Sequence, residues 1–156
     1  MGEVTQEIAK AISSLNFSKE DVALLESKEG RKIFDKLLSN FVRSGDRRWW
    51  WEDFKKESFS FIQKDKPFEI LNEVIPFTNE KVWLMVEDDL EDFYPIYEIR
   101  AEIIKDIVGE CFGFEYYIID KQMDWLICEN HHNRLIGIGE KVKIKNLHRI
   151  EIKHDA

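Results

Sequence analysis

The run Cys128, Glu129, Asn130, His131, His132 places a thiol, a carboxylate and two imidazoles within five positions. Thiolate and imidazole are ordinary zinc ligands, and a thiol beside a histidine base is the pairing of a cysteine nucleophile. The spacing argues against both. An extended strand sends Cys128 and Asn130 to one face and Glu129 to the other, and adjacent histidines in a turn are expected to diverge. A closed zinc site needs four ligands, yet the remaining candidates, Cys111, His148 and His154, belong to other segments. Cys111 and Cys128 each lie in an apolar stretch, the setting of a small buried thiol. The expectation is a polar hairpin turn beside a buried Cys128, with no catalytic residue, metal or cofactor assigned. An enzyme or metal-binding protein centred on Cys128, His131 and His132 is the alternative.

Three other groups bear on function. Gly137, Ile138, Gly139 resembles part of a phosphate loop, but such a loop passes from strand into helix, and the lysine-rich sequence that follows reads as β-like; close packing or a bulge within a strand is expected instead. Arg47 and Arg48 followed by Trp49, Trp50 and Trp51 combine cations with stacking surfaces. A helix cannot turn three consecutive tryptophans into one core, so core anchoring is expected with at least one ring at the rim, where a protein-binding contact of the Trp and Arg type, or stacking on a base, is the alternative. Glu87, Asp88, Asp89, Glu91 and Asp92 crowd five carboxylates into six residues. They lack the alternation and central glycine of a calcium loop, and read as a hydrated connection that could dock a basic partner.

The charge layout supports a partner of that sign. The formal net charge of −8 is concentrated in residues 77–110, with 10 acids against three bases, while residues 134–156 carry six bases and three acids. Binding to nucleic acid or to an anionic membrane needs clustered positive charge, so neither is expected. Apolar residues are 44% and charged residues 35% of the chain, a globular composition. No stretch approaches the roughly 20 apolar residues of a membrane span and the start lacks a secretory pattern; the expectation is a cytoplasmic monomer or small homo-oligomer.

Helical periodicity dominates the first part of the chain that must position these groups. Val4, Ile8, Ile12 and Leu15 recur at three and four residues; Ser18, three before Asp21, reads as a capping box opening a second helix. Ile33, Phe34, Leu37, Leu38, Phe41 and Val42 form the apolar stripe of a third, stopped by Gly45. Residues 46–63 read as a helix running into a strand, and a short helix follows between Pro67 and Pro76. Strands are expected over 81–86 and 94–99, then a helix over 100–112 capped by Gly113. Further strands follow over 114–119, 125–130 and 135–139, the last two as a hairpin, with a final one around 149–153. This is an α+β domain spanning residues 1–156. Its N-terminal helices pack on one face of a mostly antiparallel sheet of about five to six strands.

The run from Asp124 through Trp125, Leu126, Ile127, Cys128, Glu129, Asn130, His131, His132, Asn133, Arg134 and Leu135 to Ile136, Gly137, Ile138 and Gly139 resembles the C-terminal hairpin of SUKH-like bacterial proteins, a superfamily of toxin-immunity and regulatory proteins. The resemblance implies an α+β fold and a role in binding a protein, often a nuclease toxin, whose phosphate site acidic residues can occupy. The reading that results is a non-catalytic protein-binding domain with a basic protein partner. Its candidate contact residues are Glu87, Asp88, Asp89, Glu91, Asp92, Trp49, Trp50 and Trp51.

Overall fold

The computed structural model describes residues 2–43, 54–61, 66–88 and 93–150. The periodic segments become α1 (Glu3–Ser14) and α2 (Ser27–Phe41), which bury Val4, Ile8 and Ala11, and Phe34, Leu37 and Phe41. A 3-10 turn, Pro67–Ile70, runs into α3 (Leu71–Val74), and another, Ala101–Ile103, into α4 (Ile104–Glu110). The strands are β1 (Val22–Leu24), β2 (Ser58–Ser60), β3 (Lys81–Val86), β4 (Ile96–Arg100), β5 (Tyr116–Ile119), β6 (Leu126–Glu129) and β7 (Leu135–Ile138). A short α5 (Glu140–Lys145) and a 3-10 turn, Leu147–Arg149, follow them.

The strands form one antiparallel sheet in the order β1-β4-β3-β5-β6-β7-β2. The fold is α+β as expected, with seven strands rather than five or six. The helices do not keep to one face, however. Tyr116, Ile118, Trp125, Ile127 and Leu135 meet residues of α1, α3, α4 and α5 on one side. Tyr117, Ile119, Leu126, Cys128 and Ile136 meet α2, together with Val42 and Phe54, on the other. An antiparallel sheet wetted on one face alternates apolar and polar residues. Here every residue of β5, β6 and β7 is buried, which is why those strands read as continuous apolar runs.

Four local expectations are corrected. Ser18 does donate its N–H to Asp21 Oδ2 at 2.9 Å, while Ser18 Oγ accepts from the Glu20 N–H at 3.2 Å. These bonds close a turn into β1 instead of opening a helix, because the same side-chain bonds serve turns equally well. The lysine-rich segment after Gly139 is the helix α5, which buries Val142. Gly113 is not the cap of α4: the helix closes at Cys111, and Gly139 is the glycine with positive φ among the described residues. At the chain's end, residues 147–149 form a 3-10 turn and Ile150 makes a single bridge to Phe61. The strand expected beyond it, and most of the helix expected from residue 46, lie outside the described residues.

Candidate functional site

Asn130 builds the β6–β7 turn. Its side-chain Oδ1 accepts from the backbone amides of His132 and Arg134, both at 3.0 Å. Its backbone carbonyl accepts from Asn133 at 3.0 Å, and Asn133 takes a left-handed φ of 58°. The turn that carries the histidine rings is thus closed by the Asn130 side chain and by backbone groups. Contrary to expectation the rings stay together, centroids 4.1 Å apart. His131 Nδ1 lies 3.3 Å from Oε2 of Glu115, whose Oε1 accepts from the Tyr117 hydroxyl. Cys128 is fully buried on the α2 face, and burial pushes its thiol well above the usual range, with Glu115 adding to the effect. A thiol so placed is a weak source of thiolate. Among the described residues no three His, Cys, Asp or Glu side chains converge on a point where a metal could sit. The half-buried Cys111 is likewise held up, to about 11, by burial and by the carboxylates of Glu7 and Glu110.

Glu129 lies on the face opposite Cys128, as strand alternation predicts. It faces the α4 side, paired across the sheet with Tyr116, whose phenol donates to Oε1 at 2.8 Å. The residue is 8% exposed. Burial raises its carboxyl above the usual range, and the Tyr116 bond only partly opposes this. Tyr116 is raised well above its ordinary value by burial and by Glu129. Beyond the carboxyl opens a groove of about 590 Å³ between the Pro67–Ile70 turn, α4 and the hairpin, walled by Phe68, Val108, Cys111 and Phe114. Gly109 on α4 keeps the groove narrow, since a Cβ there would lie 3.1 Å from the Phe68 ring. The legible signal was a single acid inside an otherwise apolar strand.

The acidic loop divides. Asp88 is 8% exposed. Its Oδ2 accepts from the Thr5 amide at 3.2 Å and lies 3.3 Å from the Thr5 hydroxyl. Thr5 is the third residue of α1, so Asp88 performs the N-capping that Gly2 cannot. This corrects the reading of Asp88 as a hydrated contact residue: its charge is spent on a helix end 83 positions earlier. Glu87 is half-buried beside Glu115, whose carbonyl accepts its amide at 3.0 Å. Asp89, Glu91 and Asp92, and Trp49, Trp50 and Trp51, lie outside the described residues. The carboxylates brought together elsewhere are on helices. α1 and the adjoining 101–110 segment carry Glu3, Glu7, Glu102, Asp106 and Glu110 against Lys10 and Lys105. Glu7 and Glu110 converge on Cys111 at the groove.

The glycines after the hairpin serve packing. A Cβ at Gly137 would lie 2.6 Å from the Phe59 ring, and one at Gly139, where φ is 108°, 2.6 Å from the Asp124 carbonyl. With this geometry in view, a family model described as a family of unknown function, DUF6756, matches residues 2–149. The chain belongs to the DUF6756 family. No curated protein and no solved structure matches it. Among the described residues of this DUF6756 member, no helix is long and apolar enough to cross a membrane.

Proposed function

We propose that this chain is a non-catalytic protein-binding domain that captures a basic protein through an acidic surface, in the manner of the SUKH-like immunity proteins its hairpin resembles. The observation that carries the reading is the juxtaposition of α1 and α4. Glu3 and Glu7 on α1 and Asp106 and Glu110 on α4 are four carboxylates against Lys10 and Lys105 on two contacting helices, with Glu3, Asp106 and Glu110 exposed. Helices packed on a sheet hold such charges at fixed separations, which favours electrostatic steering of an oppositely charged partner. In this reading the contact surface lies on α1 and α4, and Asp88 serves the fold by accepting from the Thr5 amide at the start of α1.

The test is to express the products of neighbouring genes one at a time, with and without this chain. The reading expects a basic product whose harm to growth is relieved by co-expression. It also expects a complex that weakens as salt rises, since exposed charges are screened beyond about 10 Å at 0.1 M. Relief confined to an acidic product, or a complex indifferent to salt, would contradict it.

A further inference from the structure

The groove beside Glu129 has a composition that selects its occupant. Its volume of about 590 Å³ lies within the roughly 300–1,000 Å³ of sites that enclose a small ligand or a large side chain. Aromatic walls, Phe68 and Phe114, lead to a single buried carboxyl, Glu129. The neutral Tyr116 phenol donates to that carboxyl, and among the described residues no Lys, Arg or His forms an ion pair with it. Near the groove the carboxylates of Glu7 and Glu110 act on Cys111, and Lys66 and Glu69 stand on its rim.

We infer that this groove is a receptor for an arginine side chain, whose aliphatic stem lies between Phe68 and Phe114 and whose guanidinium meets the Glu129 carboxylate. A buried ion pair is ordinarily limited by the cost of stripping water from both partners. The fold has already desolvated the carboxyl, so an arriving cation gains the attraction without that part of the cost. Guanidinium is weakly hydrated, binds carboxylate through two parallel N–H donors and stacks on aromatic rings. The groove adjoins α4, so the inference rests on the proposed capture of a basic protein and supplies its specific contact: one arginine of that partner, seated while the outer carboxylates steer.

An arginine pairs with the ionised carboxyl, and burial raises Glu129 above the usual range, so affinity falls as pH drops through that raised range. The probe is N-acetyl-arginine amide titrated into isotopically labelled full-length protein, followed by NMR. Expected are saturable shifts at Phe68, Phe114 and Glu129, with nuclear Overhauser contacts from the arginine stem to both rings. N-acetyl-citrulline amide, of the same shape without the charge, should not reproduce them. Glu129→Gln, which can still accept from Tyr116, should weaken binding at least tenfold. Cys111→Trp, filling the groove from its wall, should abolish it if Glu129→Gln fails to fold. Equal binding of citrulline, equal binding by either folded variant, or shifts confined to exposed carboxylates of α1 and α4 would overturn the inference. A basic protein captured normally by folded Glu129→Gln would sink this inference and leave the proposed function standing. Arginine amide bound in the groove with no basic protein captured would do the reverse.

Discussion

Tyr116 and Glu129 are register partners on β5 and β6, and the phenol of one donates to the carboxyl of the other at 2.8 Å inside the α4-side core. The carboxyl is raised by burial above its unfolded value of 4.5, which fixes a sign. Between the unfolded and folded values the native state holds the extra proton, so stability falls as pH rises through that window. Glu129→Gln removes this loss. The melting temperature of Glu129→Gln relative to the unsubstituted protein should therefore shift in the variant's favour as pH is raised from below 4.5 to neutrality. A difference independent of pH, read by calorimetry, would mean Glu129 is not desolvated as described.

Asp88 and Gly2 form a second coupled pair. Removing the cap by Asp88→Ala should cost about 0.5–2 kcal/mol. Gly2→Ala would place a Cβ 2.0 Å from Asp88 Oδ1 and should cost about 1–3 kcal/mol through overpacking. Because both act on one contact, the double variant should lose less than the sum. Strict additivity in denaturant melts would show that Asp88 does not cap α1.

The hairpin separates scaffold from surface. Trp125 is buried, and Trp125→Ala should cost about 3–5 kcal/mol. Asn130→Ala leaves the amides of His132 and Arg134 without their acceptor and should cost about 1–3 kcal/mol. His132→Ala, on an exposed side chain, should stay within about 0.5 kcal/mol. A loss at His132 exceeding that at Asn130 would mean that the turn depends on the ring.

Periodicity made α1, α2 and the strands β3 and β5 to β7 legible, and alternation placed Trp125 and Ile127 opposite Leu126 and Cys128 as the two cores have them. What stayed hidden depended on contacts distant in sequence. α5 packs through one buried residue, Val142, while Ile144 is 67% exposed, so β-branched residues between lysines imitated a strand. Tertiary position overrode that local preference. Asp88 reads as one acid among five until the Thr5 amide, 83 residues away, donates to it. The groove was invisible for the same reason: Phe68, Val108 and Glu129 come from three elements that only the sheet order brings together.

The measurement closest to the central claim is the association rate of the basic neighbouring gene product with this chain and with a variant carrying Glu3→Gln, Glu7→Gln, Asp106→Asn and Glu110→Gln, each over a range of salt. Steering by the α1 and α4 carboxylates predicts an association rate about tenfold or more slower in the variant at low salt, and a flatter dependence on salt, with dissociation changing less. Equal rates and equal salt slopes for the two proteins, or no basic product bound by either, would contradict the account.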